Sequence, residues 1–170
     1  MAGPDDFGKT AGGSGIGAIP GATGAPPVNP TPAFDKVAVL GHAIWVLSNS
    51  GPHRHLFIAD LEWAVMPPVA LGQFRLWHEK NVPVAFASWA LLSEATEQRV
   101  MEGLKLGTGL PKLRPDEWQG GERLWLWDMV APFGGAEKAF EELKTVVFPG
   151  RELRTISDLF TGGPPRTTTM

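Results

Sequence analysis

Four histidines, His42, His53, His55 and His78, are the side chains here best suited to move a proton near neutral pH. His53 and His55 directly follow the turn Ser48-Asn49-Ser50-Gly51-Pro52, where a side chain is free to face a cleft. Ser50 stands three residues before His53. His42 lies within an apolar helical pattern and His78 in a polar turn, so packing and solvation are their ordinary roles. The other chemistry-bearing residue is Asp128, the single carboxylate in the apolar run from Leu124 to Ala131. A carboxylate in such a run needs a cationic or hydrogen-bonding partner. An imidazole oriented by a buried carboxylate is a general base fixed in one tautomer. His53 and Asp128 are therefore a candidate base and its orienting acid. The structural alternative for Asp128 is a bond to Arg123, Arg75 or backbone amides.

Other chemistries are weaker on these residues. A Ser-His-Asp hydrolase would use Ser50 as nucleophile, but no G-x-S-x-G elbow exists and Ser50 is not on a strand-to-helix turn. A metal on His53 and His55 would have only Asp60 to complete it, so no metal is expected. Gly134-Gly135 places backbone N–H groups at a helix start, suited to a phosphate or a polarised carbonyl, or else makes a plain tight turn. The run Gly13-Ser14-Gly15-Ile16-Gly17-Ala18 matches G-x-G-x-x-A, but no strand precedes it and Pro20 follows, so it reads as linker.

The elements that must position these groups follow from periodicity. Arg123 to Gly135 reads as a fully buried central strand running into a glycine turn and a helix. Strict alternation puts Trp125 and Trp127 on one face and Leu124, Leu126 and Asp128 on the other. Upstream, Thr31 as cap and Pro32 at the first position predict a helix of about 17 residues ending near Ser48. Residues 56–66 predict a short helix stopped by Pro67-Pro68. A hairpin follows, Val69 to Trp77 and Val82 to Ala90, around His78-Glu79-Lys80-Asn81. Ser93 caps a helix to about Leu104. Residues 105–121 are a loop holding Lys112, Arg114 and Trp118. Ala136, Ala139, Phe140, Leu143 and Val146/Val147 share one face of a helix ended by Phe148-Pro149-Gly150. Arg151 to Ser157 fits a last strand. The order predicts an α+β fold, helices layered on a mostly antiparallel sheet.

Composition bounds the function. The 170 residues suggest one domain with extensions: 1–33 a loose Gly/Ala/Pro-rich segment, 34–160 the folded domain, 161–170 a loose tail. The absence of Cys excludes a disulfide, a Cys metal site and a cysteine-held thioester. A formal charge of −3 gives no reason to expect a nucleic-acid partner. No run of about 18 apolar residues exists and the N-terminus lacks a basic then apolar leader, so a cytoplasmic protein without stable membrane insertion is expected. Seven Trp and nine Phe accompany no Tyr; we have no physical account of that.

A set of motifs in fixed order adds to this reading. They are Ser50-Gly51-Pro52-His53-Arg54, Pro67-Pro68 with Gln73-Phe74, Pro83 to Ala90 (PVAFASWA), Trp118 with Gly121 and Arg123-Leu124-Trp125, Asp128 to Gly134 (DMVAPFG), and Phe148-Pro149-Gly150. Over roughly residues 36–156 the chain resembles the RTX toxin-activating lysine acyltransferases, the hemolysin-activating protein C family. The resemblance implies a GNAT-like fold, paired as a homodimer. It implies transfer of a fatty acyl group from acyl-acyl carrier protein to internal lysines of an RTX protoxin, with no tightly bound cofactor. The family's essential His matches His53, its conserved Asp matches Asp128, and a helpful Ser matches Ser50. Transfer from donor to lysine would be direct or through a short-lived acyl intermediate. Arg54, Gly134 and Gly135 are taken as acyl-donor contacts. His55 stands where the family often has Asn, which leaves open which His does the work. Two other readings compete: an N-acetyltransferase using acyl-CoA, disfavoured by the lack of an R/Q-x-x-G-x-G/A loop, and a non-catalytic toxin-binding module.

Overall fold

A computed structural model describes residues 35–106 and 112–155, and the backbone of a strand at 166–168. The Gly/Ala/Pro-rich extension, its G-x-G-x-x-A match and the Thr31-Pro32 helix start lie outside the described residues.

The first helix, α1 (Lys36–Ser48), is capped by Asp35, whose carboxylate accepts from the N–H groups of Val37 and Ala38. Its core face is Val39, Ala43, Val46 and Leu47. After a short 3₁₀ turn come α2 (Leu61–Ala64) and α3 (Met66–Leu71). Here Pro67-Pro68 starts a helix instead of stopping one. A proline in the first turn forfeits no hydrogen bond, because that N–H has no partner in any helix. The expected first hairpin strand is shortened to match: Val69 to Leu71 are helical, and Gly72 closes α3 in the left-handed region at φ 72°.

Among the described residues the sheet has five strands in chain order: β1 (Phe74–Glu79), β2 (Val82–Leu92), β3 (Arg123–Val130), β4 (Leu153–Thr155) and β5 (Arg166–Thr168). Only β3 and β4 run parallel; the other neighbours are antiparallel. The hairpin turn is tighter than expected: Lys80 and Asn81, at φ 48° and 68°, form a two-residue connection, so His78 belongs to β1. Residues 166–168, within the segment read as a loose tail, pair along β4, covering backbone groups that would otherwise form an open edge.

Side chains pack on both faces. On one, α1, Val65 and Val69 cover Phe74, Phe86 and Val130. On that same face α4 (Glu94–Lys105), capped by Ser93, packs Val100 with Trp118, Trp125 and Trp127. On the other face, α5 (Ala136–Glu142) runs into a widened π turn, Leu143–Val147, and Leu143 and Phe148 cover Ala87, Leu124 and Leu126. That widening leaves Val146 66% exposed although the 3.6-residue period puts it on the core face.

Gly121 marks a close approach. Its N–H donates to Leu91 O at 2.9 Å, and a Cβ there would lie 2.4 Å from Leu92 O and 2.6 Å from Ser93 Cα. Both obstacles are backbone. Gly121→Ala is expected to destabilise the domain by about 1–3 kcal/mol, read as a lower urea midpoint; an unchanged midpoint would show that the β2–α4 junction yields freely.

Candidate active site

Ser50 and His53 are delivered by the end of α1. The Ser50 N–H donates to Leu47 O at 3.0 Å, extending the last turn of the helix two residues past Ser48. Ser50 O then accepts from the N–H groups of His53 and Arg54 at 3.2 and 2.9 Å. This local turn puts side chains three residues apart on one side. Ser50 Oγ meets His53 Nδ1 at 2.9 Å.

Asp128 arrives from the sheet by a route that strict alternation does not give. Ser88 pairs with Asp128, but the next β2 residue, Trp89, pairs with Leu126, so Trp127 is bulged out of the ladder. Directly paired residues share a face. The bulge therefore turns Asp128 away from the Leu124/Leu126 side and onto the face of Ser88, Phe86 and α1. It is there that His53 Nε2 lies 3.1 Å from Asp128 Oδ2.

His53 thus uses both ring nitrogens. With Asp128 ionised, Nε2 carries the proton and donates it to the carboxylate, and Nδ1 offers its lone pair to the Ser50 hydroxyl. Burial works to lower the His53 pKa. The hydrogen bond His53 donates to Asp128 and the negative charge of that carboxylate outweigh it and hold the pKa above the ordinary 6.5. The imidazole is a strengthened base with its reactive lone pair fixed in direction. Side-chain exposures of 25% for His53 and 31% for Asp128 leave the pair reachable from solvent.

The two arginines weighed as partners of Asp128 are engaged elsewhere. Arg123 pairs with Glu97 at 2.8 Å and Glu94 at 3.4 Å, and Arg75 pairs with Glu142 at 2.7 Å. His55 is exposed, and its Nε2 accepts from Arg54 Nε at 3.4 Å. Asp60, the only acid weighed for a metal with the two histidines, accepts from Trp63 Nε1 and Phe57 N. Among the described residues no group of three or more metal-capable side chains occurs.

Gly134 and Gly135 are exposed, with φ 95° and 81°, and a Cβ at either would meet nothing within 4 Å. Their requirement is backbone sign, since left-handed φ favours glycine. The Gly134 N–H is used inside the turn, donating to Ala131 O at 3.1 Å.

Two features were missed from sequence. Ser88 is fully buried opposite Asp128, and its Oγ has no partner; its signal was a lone hydroxyl within the apolar strand VPVAFASWALL. The second is a groove of about 100 Å³ beside the base, lined by Ile44, Leu47, Leu56, Phe57 and Leu61 with His53 and Arg54 at its edge. Phe57 and Ile58 are 77% and 89% exposed there. No helix among the described residues is long and apolar enough to cross a membrane.

Residues 32–162 match the model of the RTX toxin acyltransferase family. A leukotoxin-activating lysine-acyltransferase, LktC, of a Pasteurella haemolytica-like species is 32% identical over 118 residues, 69% of this chain and 68% of that protein. The corresponding LtxC of Aggregatibacter actinomycetemcomitans is 36% identical over 96 residues, 56% of this chain and 54% of the relative. A protein-lysine palmitoyltransferase, CyaC, of Bordetella bronchiseptica is 37% identical over 116 residues, 68% of this chain and 57% of its own length. The chain thus spans from just over half to about two thirds of these relatives.

Proposed function

The chain belongs to the RTX toxin acyltransferase family, and on that premise we propose that it transfers a fatty acyl group from acyl-acyl carrier protein to internal lysine ε-amines of an RTX protoxin. The observation that carries this reading is the Ser50–His53–Asp128 chain, with distances of 2.9 and 3.1 Å, at the edge of an apolar groove.

A lysine ammonium, pKa about 10.4, cannot attack until it loses a proton. The His53 Nδ1 lone pair accepts that proton once the Ser50 hydroxyl turns aside. The amine then attacks the thioester carbonyl: a C–N bond forms and the C–S bond breaks. The proton taken up by His53 passes to the departing thiolate, and the second nitrogen proton is released to water, leaving an amide and a free thiol. Because Nε2 is held by Asp128 and Nδ1 is capped by Ser50, the imidazole is arranged as a proton carrier more than as a nucleophile, which favours direct transfer. Arg54, exposed at the groove, is the cation at hand for the carrier's phosphopantetheine phosphate, and the Gly134–Gly135 turn is a further donor contact. The mixed sheet under helical layers supports a GNAT-like reading of the fold, and a second copy of the chain is the expected partner in solution.

The test is acyl transfer with purified protein, the partner protoxin, and acyl-acyl carrier protein or acyl-CoA, followed by mass spectrometry of toxin lysines. Lysines heavier by one fatty acyl unit with the carrier-bound donor support the reading. Transfer only from acyl-CoA selects the N-acetyltransferase alternative, and toxin binding with no mass change selects the non-catalytic one.

In this reading the groove receives the acyl methylenes next to the thioester. Leu61→Trp, which fills it, is expected to slow transfer of long chains roughly tenfold relative to short ones. Competition between donors of two chain lengths measures the ratio; an unchanged ratio places the chain elsewhere.

A further inference from the structure

His42 and His78 have no part in the mechanism above. They come from different elements, α1 and β1, and meet at the surface with His78 Nε2 and His42 Nδ1 3.2 Å apart. The rings are 5.0 Å apart between centroids and cross at 72°. In β1, Phe74 and Leu76 face α1, and Trp77 faces α5, so alternation directs His78 to α1.

We infer that His42 Nδ1 and His78 Nε2 together form an open binding site for a borderline divalent transition metal of the Ni²⁺, Cu²⁺ or Zn²⁺ class. With metal–nitrogen bonds of ~2.1 Å, the 3.2 Å nitrogen separation gives an angle of about 100° at the metal. That lies between the octahedral and tetrahedral values, so the two nitrogens need not move apart to share an ion. In the free pair one N–H is donated to the other ring's lone pair. Binding moves that proton to the distal nitrogen of its own imidazole, and both rings present lone pairs to the metal without net loss of a proton. Imidazole suits these metals, and water fills the remaining positions, since no third metal-capable side chain joins the pair among the described residues. The ion ties α1, whose end carries Ser50 and His53, to the sheet strand β1.

The experiment uses the full chain without a histidine tag, titrated with Ni²⁺. One ion per chain is expected, with the melting temperature rising by on the order of 5 °C at a hundredfold excess over Kd. His42→Ala and His78→Ala should each lower the affinity at least tenfold, and His55→Ala should leave it unchanged. Both imidazoles are at the surface, so circular dichroism should confirm that the variants fold. With Cu²⁺, the electron paramagnetic resonance spectrum should show two nitrogen ligands, reduced to one in either variant. Binding that survives both substitutions, a two-nitrogen spectrum unchanged in His78→Ala, or no binding in the wild type would each overturn the site.

Discussion

His53→Ala is expected to lower protoxin lysine acylation by roughly 10²–10⁴-fold, the usual contribution of a positioned proton carrier, while leaving the fold in place. The fold should survive because the imidazole is part-exposed and lies outside the three apolar clusters. Its removal opens no core cavity, and Asp128, 31% exposed, can turn to water. The measurement is the rate of lysine mass gain at pH 8, beside circular dichroism of the same sample. A folded variant with wild-type rate would sink the assignment of His53 as base. Ser50→Ala is the informative companion. Ser50 caps Nδ1 at 2.9 Å, so Ser, His and Asp form one hydrogen-bonded chain, as they would in a serine hydrolase. The nitrogens are used the other way round, however: the acid holds Nε2 and the hydroxyl holds Nδ1. If Ser50 only steadies the imidazole, Ser50→Ala should lose about tenfold or less, as for one neutral hydrogen bond. If Ser50 were the nucleophile, its loss would equal that of His53.

The sequence carried the identity of these groups better than their directions. His53, Ser50 and Asp128 could be singled out because a Ser-x-x-His turn and a lone acid in an apolar run each leave a chemical question that the other answers. Alternation along β3 nevertheless put Asp128 on the Leu124/Leu126 face. The single bulged residue, Trp127, reverses that, and a bulge depends on pairing with β2, which local pattern does not encode. Pro67-Pro68 failed in a similar way: a proline pair stops a helix that precedes it and starts one that follows, and only the packing of Pro68 and Val69 in the core decides. Helices with clear caps and stripes, such as Glu94–Lys105 behind Ser93, were legible because Ser93 Oγ accepting from Thr96 N is a local interaction. The groove beside His53 was not legible, since it joins α1 to the Leu56–Leu61 segment through a turn of unknown direction.

Asp128→Asn separates an orienting acid from a structural one. It keeps the size of the side chain and removes the charge. The expected loss is about 10²-fold or more in the maximal acylation rate, because an amide can donate to Nε2 and favour the wrong tautomer. The pH profile should move as well. In the wild type His53 has its pKa raised above 6.5, so the neutral base accumulates, and the rate climbs, through a pKa above that value. Without the charge and hydrogen bond of Asp128, burial is the remaining influence, and the rising limb should shift to lower pH while the plateau falls. Stability has its own sign. A group whose folded pKa is raised contributes fully below its unfolded pKa of about 6.5 and loses that contribution as pH rises through the folded value. The stability gap between wild type and Asp128→Asn should therefore be larger at pH 5.5 than at pH 9. A purely structural acid would give a gap independent of pH and an unmoved rate limb. A rate loss accompanied by unfolding at every pH would assign Asp128 to the architecture of β3 and leave His53 without its orienter.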